Sequence, residues 1–581
     1  MHTKRQKFFT AAFLLLSFVN SSIFLAAQEM YAGAASDDIS GSASVFVFRT
    51  SSKTPHRFRA NQTLKVRASK RKIEDRQRRI QKSEIVAATR QRPNPKPRPT
   101  PANGKPTRIE AELLEKEAGA EVMVKSAEAY LQQKDYKEAE KQLISARRLN
   151  PNSETAKFGL ARVLAAKGDA AYDEKKYEAA IDYYEQSIAL NAANPDALAA
   201  LGESYDALDK RDKAISAYQS ALQLDPKLTE IHAPLGTLYY ETGNLAEAEK
   251  HLAKALTVDP NDAELLNTHG LVLFKQNRGA EAINAFKSAI RVNPNYAEAH
   301  YNLGDVYSLS KNEAAAMSEY REAIRLNPSY AEAYFDLGAL LFNQGKYTEA
   351  AANYSEVVKL QGSNTEARLN LADAYRLADN CSQAINQYQI VAPKTQDPEV
   401  LGKFGFCLGR TRNWDRAIEV LNKAVLVEPS AYNYTNLAWA YNNKKQFPEA
   451  VAASQKAIQK DATFPGGYYN LGNAQAQARN FEAAVESFKK AVELKKDWAE
   501  AYNNLGFAYG GLNNLEQAAE NHRKAVQLKP DFAAAHFNLG VVLAKRGKRK
   551  EAEKELEILK KMNAATMAQQ LFLIIKSSPK K

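Results

Sequence analysis

A unit of 34 residues recurs along most of this chain and restricts its fold more than any other feature. The segment 297–330 matches the segment 331–364 when shifted by that length, and related copies begin at Ala499 and Ala533. Each copy has two stretches of helical apolar periodicity separated by a short polar turn. A break that contains proline, such as Pro328, precedes the next copy. The spacing therefore predicts a row of helix–turn–helix units, in which each unit packs only on its neighbours.

Small and large residues occupy fixed positions on the two helices of each copy. Gly304 on the first helix and Ala316 on the second let the helices approach closely, and Tyr320 fills the remaining space. The recurring marks are Leu303, Gly304, Tyr307, Ala316, Tyr320, Ala323 and Pro328. This pattern resembles the tetratricopeptide repeat (TPR) family. The resemblance implies an all-α, right-handed superhelical solenoid whose first helices line the concave side.

The spacing predicts about thirteen units in a repeat solenoid at 111–563. The second unit, 154–194, has 41 residues, and its excess of 7 equals two helical turns, which predicts one lengthened first helix. Pro234 falls about one turn into its helix, so that helix is expected to start late or to bend. The segment 564–581 is predicted to supply a capping helix and a basic tail.

The N-terminal part of the chain carries all of the net positive charge. Residues 1–110 contain 22 Lys and Arg and 7 Asp and Glu, a net charge of +15, whereas the rest of the chain sums to −2. Residues 1–27 have a basic start and an apolar core, which favours an export signal. An uncleaved membrane anchor through residues 8–27 is the alternative. Both readings predict an exported protein of the bacterial periplasm or cell envelope.

Residues 28–110 are predicted to be a disordered, basic and proline-rich linker, because their apolar content is too low to offset the entropy of ordering. The basic residues at 49–108 suit an anionic cell-wall polymer or a membrane surface. A self-repelling tether without a ligand is the alternative. Aromatic residues are sparse in this segment, so nucleic acid is a poorly supported partner.

A row of asparagines marks the candidate binding site. They share the sixth position of their units and are Asn302, Asn370, Asn436, Asn470, Asn504 and Asn538. The row resembles the asparagine ladder of O-linked N-acetylglucosamine transferases, which implies that these amides hold the backbone of an extended peptide. Each amide carries both a donor and an acceptor, so it can pair with peptide groups. Trp439, Tyr469 and Asn473 lie nearby and would add selectivity. The alternative is that the asparagines only face water.

The sequence contains no recognisable catalytic or cofactor-binding set. His232, His300 and His536 recur at one repeat position, which is typical of substituents on a helix face. His251 and His522 lack a companion at metal-ligand spacing. Because no nucleophile–base set can be assembled either, we expect no enzyme activity, no cofactor and no metal.

The two cysteines, Cys381 and Cys407, fall in adjacent units. The resemblance places them on helices that pack together, so a disulfide is compatible with the fold in an oxidising compartment. Two buried free thiols are the alternative.

These features together predict a non-catalytic protein–protein interaction scaffold, exported or envelope-associated, that binds partner polypeptides in a concave groove. A structural cell-envelope protein that binds an anionic wall or membrane surface through its basic arm is one alternative. An accessory subunit of a glycan- or peptide-modifying enzyme is another, and it would have the same sequence features.

Overall fold

The computed structural model describes residues 108–578, and within this range the chain forms 27 α-helices, two short 3₁₀ turns and no strand. The helices alternate as the first and second members of thirteen antiparallel pairs, and a last helix follows the thirteenth pair. The predicted all-α class and the predicted helix–turn–helix units are therefore confirmed.

The helix bounds follow the repeat closely. The first helices are α1 (Arg108–Gln132), α3 (Glu154–Asp173), α5 (Pro195–Ala207), α7 (His232–Glu241), α9 (Ala263–Lys275), α11 (Ala297–Leu309), α13 (Ala331–Asn343), α15 (Thr365–Leu377), α17 (Pro398–Arg410), α19 (Ala431–Asn443), α21 (Pro465–Gln477), α23 (Ala499–Gly511) and α25 (Ala533–Lys545). The second helices are α2 (Tyr136–Leu149), α4 (Tyr177–Leu190), α6 (Arg211–Leu224), α8 (Leu245–Val258), α10 (Gly279–Val292), α12 (Glu313–Leu326), α14 (Tyr347–Leu360), α16 (Cys381–Val391), α18 (Trp414–Val427), α20 (Phe447–Lys460), α22 (Phe481–Leu494), α24 (Leu515–Leu528) and α26 (Arg549–Lys561). The last helix is α27 (Ala565–Ser577).

The turn inside each pair is built the same way throughout. After the first helix, one residue adopts a left-handed backbone conformation, as Lys311 does with a φ of 59° and Gly345 with a φ of 74°. A left-handed residue ends a helix because the chain can no longer follow the helical path. Asn312 then caps α12 by accepting a hydrogen bond from the backbone N–H of Ala315. The left-handed residue thus marks the end of each first helix, and an Asn or Asp cap marks the start of some second helices, as in α12.

The two helices of a pair touch at the small residues that define the repeat. A Cβ built on Gly304 would lie 2.7 Å from two ring carbons of Tyr320 and 3.3 Å from the carbonyl oxygen of Ala316. The Tyr320 ring is therefore pressed against the backbone of α11, and its hydroxyl donates to Oδ1 of Asp305 at 2.8 Å. Burial of the ring and satisfaction of its hydroxyl both stabilise the pair.

Two irregular helices have the predicted form. The first helix of the second pair, α3, has 20 residues against 13 in α5, and Ala161 and Gly168 are both buried on its packed side. The helix that contains Pro234 starts late: a 3₁₀ turn spans Thr229–Ile231, and α7 begins only at His232. Proline lacks a backbone N–H, which costs nothing in the first turn of a helix.

The C-terminal helix α27 packs on both members of the last pair, α25 and α26. Leu571 and Ile575 on its inner side are buried. A Cβ on Gly540 would lie 2.5 Å from Cδ2 of Leu571, so α27 approaches the backbone of α25 closely. This helix therefore covers the last repeat.

The described residues divide into two compact units, 108–337 and 338–578. The predicted export signal, and the linker at 28–110 up to residue 107, lie outside the described residues, as does the end of the basic tail. Among the helices of the described residues, none is long and apolar enough to cross a membrane.

Several first helices are tied to their second helix by a buried histidine. His300 Nδ1 lies 2.7 Å from Oε2 of Glu319, and His536 Nδ1 lies 2.6 Å from Oε2 of Glu555. His232 Nδ1 lies 2.8 Å from Nδ1 of His251. His251 therefore has a hydrogen-bond partner on the adjacent helix, 19 residues away in sequence.

Replacing glycine by alanine at two sites of α23 should have opposite effects. A Cβ on Gly506 would lie 2.9 Å from the buried ring of His522 and 3.0 Å from the carbonyl oxygen of Ala518, whereas a Cβ on Gly510 meets no atom within 4 Å. We expect Gly506→Ala to destabilise α23 and α24 by about 1–3 kcal/mol through overpacking. Gly510→Ala, the matched control, should stabilise them by up to about 1 kcal/mol through helix propensity. Native-state hydrogen exchange of α23 and α24 measures the stability change in each variant. Equal changes in the two variants would contradict the close approach of the two helices at Gly506.

The pair α7–α8 should lose stability in mild acid. Burial, reinforced by His232, lowers the pKa of His251 to about 4. The folded pKa is below the ordinary value of about 6.5, so the unfolded chain binds more protons and stability falls as the pH drops from 6.5 towards 4. Between pH 6.5 and 5, we expect the free energy of unfolding of this pair to fall by about 1–2 kcal/mol less in His251→Gln than in the unmodified chain. Hydrogen exchange of α7 and α8, corrected for its intrinsic pH dependence, provides the measurement.

His536 supplies the control with the opposite sign. Burial lowers its pKa, but hydrogen bonds to Glu555 and to the backbone oxygen of Pro530 outweigh burial and raise it. Its contribution to stability is therefore present at low pH and is lost as the pH rises. His536→Gln should not reduce the acid loss in its own pair, and a protective effect there would refute this assignment.

Candidate functional site

Several consecutive first helices contact each other directly within each compact unit, as α19 does with α21 and α21 with α23. Consecutive second helices make no comparable contact among the described residues. Helices that approach more closely lie on the inner side of a bend. The first helices therefore form the inner side of each unit, and the second helices form its outer side.

The first helices from α19 to α25 differ from the outer helices in charge. Among Asp, Glu, Lys and Arg, these four first helices carry only Glu500 and Lys545, whereas the second helix α22 alone carries five such residues. Glu500 is also paired, because Lys529 Nζ donates to it at 3.3 Å. The inner side of residues 431–545 is thus rich in amides and aromatic rings and poor in charge.

The predicted asparagine row bridges neighbouring first helices. Asn470 Nδ2 donates to the backbone oxygen of Thr435 at 2.9 Å. Asn504 Nδ2 donates to the hydroxyl of Tyr469 at 3.0 Å and to Oδ1 of Asn473 at 2.9 Å. Asn470 is fully buried, and Asn436 and Asn504 are also buried. These amides therefore hold one repeat on the next, in addition to any role towards a ligand.

The remaining members of the row follow the same geometry or leave a donor unused. Asn302 Nδ2 donates to Oδ1 of Asn267 at 2.9 Å, and Asn538 Nδ2 donates to Oδ1 of Asn503 at 3.1 Å. Each bond reaches back 35 residues to the preceding first helix. The buried Nδ2 of Asn370 has no hydrogen-bond partner among the described residues.

The aromatic residues expected to add selectivity are packed inside the repeats. Trp439 is buried, stacks on Phe406 with ring centroids 6.0 Å apart and meets Trp414 edge-on at 5.2 Å. Tyr469 stacks on Trp498 at 4.4 Å. Both rings are buried within the packing of the repeats, whereas Asn473 is half-buried.

Sequence reasoning missed two positions of this surface. Asn442 Nδ2 donates to the backbone oxygen of Asn470 at 3.0 Å, while its buried Oδ1 has no hydrogen-bond partner among the described residues. Gly510 occupies the same repeat position two units later, and its Cα faces open space. The scarcity of charge along α19, α21 and α23, which carry only Glu500, was the sequence signal that could have found them. We call the surface formed by Asn442, Asn473 and Gly510 the amide face.

The other predicted site residues are placed as follows. Cys381 and Cys407 are free, buried thiols whose sulfurs lie 2.7 Å apart. The described residues contain no group of three or more His, Cys, Asp or Glu side chains that could hold a metal ion. No residue of the amide face is a nucleophile or a titratable base.

Family models match several parts of the chain. A TPR repeat model matches residues 480–513 and 511–547, and two tetratricopeptide repeat models match residues 341–404 and 124–171. A model described as the C-terminal domain of cilia and flagella-associated protein 70 matches residues 153–364. A comparison with curated proteins finds no significant match in sequence.

Solved structures with similar helix pairs cover different shares of the chain. The Cut9–Hcn1 hetero-tetramer of the APC/C is 15% identical and covers 81% of this chain and 99% of its own, with a TM-score of 0.36. Yeast Tom70 is 18% identical and covers 71% of this chain and 96% of its own, with a TM-score of 0.34. YrrB, titled a TPR protein with an unusual peptide-binding site, is 21% identical, covers 33% and 95%, and has a TM-score of 0.29.

The matched repeat models fall on the helices described above, and these helices carry the small residues that let two helices touch. The chain is a tetratricopeptide repeat protein.

Proposed function

We propose that this protein is a non-catalytic interaction scaffold that binds extended segments of partner polypeptides on its amide face. Helix-pair repeats of this kind offer a continuous inner surface rather than a closed pocket. Amide and aromatic side chains supply hydrogen bonds and apolar contact, but neither a general base nor a nucleophile. Such a surface therefore supports the binding of a partner without catalysis.

The scarcity of charge on α19, α21 and α23, where Glu500 is the one charged residue and is paired with Lys529, is the observation that carries this proposal. An extended peptide presents alternating N–H and C=O groups, and asparagine side chains can pair with both. An anionic polymer would leave its charges unpaired against such a surface, which is costly. The side chains of Asn442 and Asn473 are only half-buried, so part of each amide is accessible to a peptide.

The basic N-terminal segment supports a second part of the proposal. Residues 49–108 would hold the protein at an anionic cell-wall or membrane surface after export, while the repeats bind the partner. The net charge of +15 in residues 1–110 favours this arrangement, because clustered Lys and Arg bind anionic surfaces by electrostatic attraction. The two roles are assigned to different parts of the chain, so they can be tested separately.

A bulky side chain at Gly510 should block the amide face without disturbing the helix packing. We expect linear peptides selected from a displayed random library against the full chain to bind Gly510→Trp at least about tenfold more weakly, about 1.4 kcal/mol. Glu520→Trp, which adds the same side chain on the exposed side of α24, is the matched control and should bind normally. Fluorescence anisotropy measures both affinities, and circular dichroism checks the helix content.

Two results would count against this site. Unchanged affinity of Gly510→Trp would place peptide binding elsewhere on the protein. Failure to select any linear peptide would argue that the inner side of residues 431–545 has only a packing role.

Deletion of residues 28–110 separates the two parts of the proposal. The full chain should sediment with anionic vesicles of phosphatidylglycerol and not with neutral vesicles of phosphatidylcholine, and salt should weaken this binding. The deletion should abolish vesicle binding while peptide affinity stays the same. Loss of peptide binding as well would favour a structural envelope protein in which the repeats are only a spacer.

A further inference from the structure

The two cysteines lie where two irregular repeats meet. Cys381 is the first residue of α16, and Cys407 lies within α17. The helix α16 has 11 residues against 14 in α14, and a 3₁₀ turn at Ala392–Lys394 replaces its last turn. Their sulfurs are 2.7 Å apart, about 0.7 Å more than the length of a disulfide bond. A small displacement of the side chains would close this distance.

A partly buried ionic cluster links the three helices around the cysteines. Asp373 on α15 accepts hydrogen bonds from Tyr388 on α16 at 2.6 Å and from Lys403 on α17 at 2.7 Å. Arg376, one turn further along α15, donates to the same carboxylate at 3.2 Å. One carboxylate therefore links α15, α16 and α17. Two of its partners are partly buried charges, so separating the helices would leave charges unpaired, and the cluster holds the two sulfurs close together.

The surroundings make the two sulfurs unequal. The N-terminus of α16 favours negative charge at Cys381. The hydrogen bond with Cys407 lowers the pKa of Cys381, and the guanidiniums of Arg410 and Arg376 lower it further. Arg410 is held in this region by a 2.8 Å bond to Asp379. Burial raises the pKa of Cys407, which stays a thiol. Cys381 also retains 6% exposure and Cys407 none, so a small oxidant meets Cys381 first.

We propose that Cys381 and Cys407 form a redox-modification site that closes a disulfide between α16 and α17 on exposure to a small hydroperoxide. Cys381 is the attacking sulfur and Cys407 is the resolving sulfur. The bond clamps together the two repeats whose junction is irregular, upstream of the amide face on α19, α21 and α23.

The chemistry balances with hydrogen peroxide as the oxidant. The thiolate of Cys381 attacks one peroxide oxygen, the O–O bond breaks, and the leaving hydroxide takes a proton to become water. The product is a sulfenic acid on Cys381. The sulfur of Cys407 then attacks the sulfur of Cys381, the S–O bond breaks, and the thiol proton leaves with the hydroxyl group as a second water. Two thiols and one peroxide thus give one disulfide and two waters, with two electrons passing from the sulfurs to the peroxide.

The test uses the reduced full chain treated with hydrogen peroxide at neutral pH. The mass should fall by two hydrogen atoms, and N-ethylmaleimide added under denaturing conditions should no longer label the protein. In Cys407→Ser the reaction should stop at a sulfenic acid on Cys381, which dimedone traps. In Cys381→Ser, the matched control, Cys407 should keep its thiol under the same exposure. Circular dichroism establishes that each variant is folded.

The effect of the disulfide on local stability is measured separately, by hydrogen exchange. Oxidation of the unmodified chain should slow hydrogen exchange between residues 381 and 410 by about tenfold to a hundredfold, because the bond closes a loop in the unfolded segment. Neither single variant should show this change. Labelling of both thiols after peroxide treatment of the unmodified chain would overturn the proposal, as would disulfide-linked dimers or dimedone on Cys407 in Cys381→Ser.

Discussion

The close approach of two helices within each pair is the contact on which the rest of the structure depends. Gly304 removes the side chain that would otherwise separate α11 from α12, and the ring of Tyr320 lies against the exposed backbone. Dispersion and aromatic burial stabilise this contact, and both fall steeply when atoms are moved apart. Because the same contact returns in successive pairs, each pair presents a similar surface to the next. The array is therefore held together by short-range packing between neighbours.

Polar contacts then determine how consecutive repeats fit together. The amides of Asn470, Asn504 and Asn538 reach back to the preceding first helix, and at these depths an unpaired amide would be costly. The same inner surface is the one proposed to bind peptides. Asparagine can serve both packing and recognition, because its side chain has an N–H₂ donor and a C=O acceptor. One group can hydrogen-bond to the neighbouring helix while the other hydrogen-bonds to a ligand. On the amide face, Asn442 donates to the backbone oxygen of Asn470 and Asn473 accepts from Asn504, and both side chains are half-buried.

Much of the fold could be predicted from the sequence because its causes are local. The starts of α11 and α13 coincide with the repeat boundaries, α3 has the two extra turns that the insertion requires, and Pro234 delays α7. The site was less predictable. The row of asparagines could be counted, but not its hydrogen-bond partners, which lie 35 residues away and depend on how neighbouring helices are oriented. The contact between His232 and His251 was not predictable either, because the two residues lie on different helices.

The sequence by itself determined the type, length and order of the helices in the described residues, since periodicity, glycine position and turn residues act within a few residues of each other. Only the tertiary structure decided which side chains face inward, which amides bond between repeats and which remain available. It also brought Cys381 and Cys407 into contact across two helices. The reason is that burial and hydrogen bonding at a surface between repeats depend on the relative placement of whole helices, which no single repeat contains.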